Sequence, residues 1–112
     1  MFQQLFGRSR VQEVTAQEAK ARLKAGAIIV DVREPHEWSE GHIPGALHIP
    51  LGSLARHVGE LDSAKEVIAV CRSGNRSISA ALILQRAGFT RASSMSGGMI
   101  SWMRNRFPTT RA

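Results

Sequence analysis

Cysteine occurs once in the 112 residues, at Cys71. A single thiol excludes an internal disulfide and cannot assemble a thiolate zinc site. No apolar run approaches the ~20 residues that span a bilayer, which excludes a membrane-spanning helix. Residues 1–7 lack both an early basic side chain and a long apolar stretch, so they do not read as a secretory signal. A cytoplasmic location is therefore expected, where a thiol stays reduced. Tyrosine is absent, and the aromatics amount to four Phe and two Trp. Without aromatics interleaved among basic residues, and without a nucleic-acid motif, direct nucleic-acid binding is not expected. The four histidines, His36, His42, His48 and His57, have no metal-ligand spacing, so no metal is expected.

Carboxylates are also missing from the last part of the chain. Beyond Glu66 come Arg72, Arg76, Arg86, Arg91, Arg104, Arg106 and Arg111 with no acidic residue between them. The formal charge is +6, and this half sets up a positive field that favours anions. The bland reading is a basic surface that only aids solubility.

The composition that remains, 43% hydrophobic and 21% charged, fits one globular domain and argues against disorder. Residues 1–10 read as a loosely attached lead, 11–107 as the domain and 108–112 as a short exposed tail. Thr15 with Glu18 three residues later is a capping box that should open a helix running to about Lys24, stopped by Gly26. Residues 27–32 form a short, mostly β-branched apolar run, the pattern of a strand buried on both faces. A helix is expected from Pro35 to about Glu40, a weak strand over 46–49 and helical spacing over 51–61. Val67-Ile68-Ala69-Val70 repeats the buried-strand pattern. A helix should follow from Ser77 to about Ala87, then a short strand over 92–95 and a last helix over 99–104. Strands alternating with helices predict an α/β fold, a mostly parallel central sheet with helices on both faces.

In open α/β sheets, ligands gather where strand carboxyl ends lead into helix N-termini. Cys71-Arg72-Ser73-Gly74-Asn75-Arg76-Ser77 occupies such a place. A thiol there faces the positive end of a helix and its unpaired backbone N–H groups, and both favour the thiolate. Gly74 and Asn75 tolerate the backbone angles that aim several N–H groups at one centre. A buried cysteine filler is the alternative. Two arginines and a flexible turn at the same point count against it, which makes Cys71 the candidate nucleophile.

At these residues the chain resembles the rhodanese-like sulfurtransferases, over about residues 11–107. Asp31-Val32-Arg33-Glu34 resembles the family's strand-end Asp-x-Arg. Residues 37–46, Glu-Trp-Ser-Glu-Gly-His-Ile-Pro-Gly-Ala, are similar to its Glu-aromatic-x-x-Gly-His-Ile-x-Gly-Ala stretch. Residues 71–76 resemble its six-residue catalytic loop, and Ser96-Gly97-Gly98-Met99 with Trp102 its closing motif. The related phosphatases use a seven-residue loop that would place Arg where Ser77 stands, so phosphatase or arsenate reductase activity is not expected. A dithiol reductase would need a second cysteine.

The resemblance implies a single rhodanese-like domain and transfer of a sulfane sulfur in two half-reactions through a Cys71 persulfide. The partners implied are a small anionic donor such as thiosulfate and an acceptor: cyanide, a thiol or a partner protein. No cofactor is required. Backbone N–H groups of residues 72–76 would cradle the persulfide, Arg72 and Arg76 would attract the donor, and Ser73, Asn75 and Ser77 are hydrogen-bonding candidates. Arg76→Ala should then act mainly on the KM for thiosulfate. Asp31, Arg33, Glu37 and His42 are expected to be structural, with Asp31 anchoring backbone and Arg33 pairing with Glu37. Gly97-Gly98 should let the last helix begin close to the catalytic loop. The alternatives are a persulfide carrier in a protein-to-protein relay and a binding module without catalysis.

Overall fold

Val67, Ile68, Ala69 and Val70 have no exposed surface at all. A strand whose side chains are apolar in both directions must sit inside a sheet covered on both faces. The computed structural model, which describes residues 11–112, places it there; the expected lead over residues 1–10 lies outside the described residues. The chain runs β1 (Gln12–Val14), α1 (Ala16–Lys24), β2 (Ile28–Asp31), α2 (Pro35–Ser39), β3 (Leu47–His48) and α3 (Leu51–His57). It continues through β4 (Val67–Val70), α4 (Asn75–Arg86), β5 (Ala92–Met95) and α5 (Gly98–Arg104). The five strands pair in the order β1-β5-β4-β2-β3, every pair parallel.

The two-residue strand period sorts the core into two layers. Val30, Val67 and Ala69 pack with Leu54 of α3 and with Ala80 and Leu84 of α4. Ile29, Ile68 and Val70 pack with Ala16 and Ala19 of α1 and with Met99 and Trp102 of α5. The sheet thus carries helices on both faces, as expected of an α/β chain. No helix of the described residues is long and apolar enough to cross a membrane.

Local chemistry sets the element ends. Thr15 Oγ1 accepts from the Glu18 N–H at 3.0 Å, and Glu18 Oε1 accepts from the Thr15 N–H at 2.8 Å, completing the capping box. The helical stretch over 51–61 divides into α3 and a 3-10 turn over Val58–Glu60. The helix expected from Ser77 begins two residues earlier, at Asn75, because Gly74 turns the chain with φ of 109°. β1 has no counterpart among the expected strands. It is an edge strand with Gln12 and Glu13 exposed, held by backbone pairing to β5, so it carries no apolar signature.

The last residues are exposed but anchored. His42 and Thr110 exchange two backbone hydrogen bonds of 2.9 Å each, an isolated antiparallel bridge. The Trp102 indole N–H donates to Pro108 O at 2.8 Å, and its ring meets Phe107 edge-on at 5.1 Å.

Candidate active site

Cys71 stands one residue beyond the carboxyl end of β4, and the loop that follows enters α4. The positive φ of Gly74 folds this loop back over the sulfur, so that backbone donors converge on it. The Gly74 N–H donates to Cys71 Sγ at 3.1 Å and the Ser77 N–H at 3.4 Å. The thiol also lies 3.4 Å from Ser77 Oγ, which would donate back to an ionised sulfur. Ser77 Oγ is in turn 2.7 Å from Ser94 Oγ on β5. Cys71 is 1% exposed and Ser77 and Ser94 are fully buried, so this relay is shielded from water.

Burial pushes the Cys71 thiol up, but hydrogen bonds from Ser77, side chain and backbone, and from the Gly74 and Ser73 N–H groups outweigh it. The net displacement is below the ordinary thiol value. Ser77→Ala should move the midpoint of iodoacetamide alkylation upward, since a lost donor disfavours the thiolate. The rate falls as pH drops through that midpoint, so the variant should react more slowly near neutrality. A merely structural defect would alter thermal stability and leave the midpoint in place.

The neighbouring helix is fastened to the same loop. The Met99 N–H donates to Cys71 O at 2.8 Å and the Ile100 N–H to Arg72 O at 3.1 Å. Gly98 permits this approach: a Cβ there would stand 2.4 Å from both Cys71 O and Arg72 O. Gly97-Gly98 therefore does bring α5 against the loop.

The charged residues divide differently from the sequence reading. Arg33 was expected to pair with Glu37; it pairs instead with Asp31. Its Nη2 donates to Asp31 Oδ2 at 2.8 Å and to Gly41 O at 2.8 Å, and its Nε reaches Asp31 Oδ1 at 3.0 Å. The two residues are 1% and 6% exposed and two apart at a strand end, which brings them to the same side. The Arg33 N–H also donates to Asp31 Oδ1 at 3.0 Å, so Asp31 does anchor backbone. Glu37 takes Arg76 in a two-pronged pair, 2.7 Å and 2.9 Å, and accepts from the Glu34 N–H at 2.9 Å. The Arg76 hydrogen bonds hold the Glu37 carboxyl down at about 2. Arg72 is exposed and forms no ion pair among the described residues.

His42 does not form a dyad with Cys71. Its Nδ1 is 2.9 Å from Trp38 O, and its ring stacks on Trp38 with centroids 3.4 Å apart. His48 stacks with the same indole at 4.7 Å. Trp38 thus stacks with two imidazoles, while Trp102 is 2% exposed in the core. Ser73 and Asn75 are exposed, and among the described residues neither side chain bonds to the sulfur. Ser94 was missed by sequence reasoning; its only signal was a hydroxyl pair inside a buried strand.

A cavity of about 520 Å³ adjoins the loop, with Arg72, Glu37, Met99, Ile100 and Met103 in its wall. Another of about 510 Å³ lies at the opposite ends of the strands, around Gln12, Arg22, Glu66 and Arg91, and has no thiol.

The family model described as Rhodanese-like domain matches residues 15–105. The chain belongs to the rhodanese-like family. Among rhodanese-like relatives, the thiosulfate sulfurtransferase GlpE of Stutzerimonas stutzeri is 36% identical over 98 residues, covering 88% of this chain and 89% of its own. The putative sulfur carrier protein YrkF of Bacillus subtilis is 34% identical over 96 residues, 84% of this chain; the match spans about half, 52%, of YrkF. The crystal structure of a rhodanese-related protein from Thermoplasma volcanium superposes with a TM-score of 0.84 at 29% identity. That match covers 90% of this chain and 99% of the other.

Proposed function

We propose that this chain is a sulfurtransferase that takes a sulfane sulfur from thiosulfate onto Cys71 and passes it to a thiophilic acceptor. The observation that carries the reading is the convergence of the Gly74 N–H, the Ser77 N–H and the Ser77 hydroxyl on one buried sulfur. In the first half-reaction the Cys71 thiolate attacks the outer sulfur of thiosulfate. A Cys71–sulfur bond forms, the sulfur–sulfur bond of the donor breaks, and sulfite leaves with the electron pair. In the second, cyanide or an acceptor thiolate attacks the outer sulfur of the Cys71 persulfide, and Cys71 departs as the thiolate. No net proton or redox partner is needed, and the charge moves between anions that the amide donors are placed to stabilise.

Two half-reactions through one covalent intermediate require ping-pong kinetics. Initial rates with thiosulfate and cyanide should give parallel double-reciprocal lines. Intersecting lines would contradict the covalent route.

Among the described residues Arg72 is the cation at the cavity without an ion-pair partner, whereas the charge of Arg76 is matched by Glu37. That pairing supports a division of work between them. Arg72→Ala should raise the KM for thiosulfate about tenfold with little change in kcat, the loss of one charge-assisted contact. Arg76→Ala should raise it by a smaller factor, because the Glu37 carboxylate already offsets its field. Equal effects from the two variants would refute the division.

A further inference from the structure

Among the described residues only three large apolar side chains are substantially exposed: Leu47 at 46%, Ile100 at 40% and Met103 at 60%. Ile100 and Met103 stand three apart on α5, so they share a face. Both belong to the wall of the 520 Å³ cavity that contains Arg72, and buried Met99 lines the same wall. The Met99 and Ile100 N–H groups hold this face to the carbonyls of Cys71 and Arg72, so the apolar surface is fixed relative to the sulfur. Thiosulfate is a small dianion and gains nothing from an apolar wall.

The unpaired charges in the cavity wall balance, and the positive excess beside the face comes from the arginines that follow it in the chain. Arg33 is neutralised by Asp31 and Glu37 by Arg76, which leaves Arg72 and one exposed carboxylate, Glu40, at the cavity. Exposed Arg104 and Arg106 follow directly in the chain.

We propose that Ile100 and Met103 form a docking surface for an acceptor protein, one that presents its cysteine on an acidic segment with a large apolar side chain beside it. The proposal rests on the sulfur-transfer reading and names the acceptor class for the same site. The apolar side chain covers Met103 and Ile100, and the carboxylates meet Arg72 and the following arginines. The partner's thiolate then attacks the outer sulfur of the Cys71 persulfide. The bond from that sulfur to Cys71 Sγ breaks, a bond to the partner's sulfur forms, and Cys71 is released as thiolate.

The probe is a short synthetic peptide with one cysteine, an adjacent leucine and nearby aspartates, compared with a counterpart carrying serine for leucine and asparagine for aspartate. The acidic apolar peptide should accept sulfur with about tenfold higher kcat/KM, the scale of one good anchoring contact. Met103→Glu should remove about tenfold and Met103→Ser about threefold of that efficiency, while turnover of the uncharged Met103→Ser variant with cyanide stays within about twofold. In a second arm, the serine-for-cysteine peptide is bound to the Cys71→Ser protein and followed by fluorescence anisotropy, which needs no chemistry. Affinity that drops with Met103→Glu supports the surface. Equal efficiency of the two peptides, or peptide transfer unchanged in Met103→Glu, would overturn it. So would a concentration-dependent dimer that Met103→Glu dissolves, since the face would then belong to a second copy. Absent cyanide turnover in the unmodified protein would count against the sulfur-transfer reading alone, and the anisotropy arm would still decide the docking surface.

Discussion

Cys71→Ser is expected to reduce thiocyanate formation from thiosulfate and cyanide to background, a loss on the order of 10⁴-fold or more, as when other nucleophiles are removed. The hydroxyl does not ionise near neutrality, and the donors that favour a thiolate cannot bring an alcohol into range. The substitution is nearly isosteric. The serine hydroxyl can still donate to Ser77 Oγ, where the thiol now lies at 3.4 Å. Cys71 packs at the edge of a core of Val30, Val32, Ala80 and Leu84, so the apolar loss is small. Thermal unfolding should therefore shift by no more than about 1 kcal/mol in equivalent stability. The discriminating result is a folded protein without turnover. Retained turnover would remove Cys71 from the mechanism.

Gly98→Ala should damage both stability and turnover, through the backbone. Gly98 has a φ of 53°, and an added Cβ would lie 2.4 Å from two carbonyl oxygens of the catalytic loop. Those oxygens accept the hydrogen bonds that fix α5, so neither can retreat without losing a partner. A clash of that kind with buried backbone belongs to the large end of single-substitution effects, about 3 kcal/mol or more. For a domain of this size that corresponds to a melting temperature lower by roughly 12 °C. Sulfur transfer should fall at least about tenfold, because the carbonyls that must move adjoin the sulfur. Gly59→Ala is the matched comparison, with no heavy atom within 4 Å of its added Cβ and an ordinary φ. It should leave both stability and turnover within error. Equal tolerance of both substitutions would show that the approach of α5 does not position the loop.

The division between what the sequence displayed and what it hid follows contiguity. The loop from Cys71 to Ser77 is read directly because strand, turn glycine and helix start are consecutive, and the donors come from the loop's own backbone. Buried strands such as Val67–Val70 announce themselves by composition. Pairings between distant segments do not. Arg76 meets Glu37 across 39 positions, and Ser77 meets Ser94 across 17. Within α2 and its approach, a local pairing of Arg33 with Glu37 looked sufficient. Charge complementarity alone could not rank it against Asp31, which the strand geometry favours, and Arg76, which α4 delivers to Glu37. β1 escaped for another reason: its exposed Gln12 and Glu13 give an edge strand no apolar alternation, and its pairing rests on the backbone of β5.

The central claim is a sulfur atom carried on Cys71. The most direct test is the intact mass of the purified protein after thiosulfate and again after cyanide, beside the Cys71→Ser variant. The account predicts a gain of one sulfur atom with thiosulfate, its removal by cyanide as thiocyanate, and no gain in the variant. An unchanged mass after thiosulfate, or the same adduct on the variant, would contradict it.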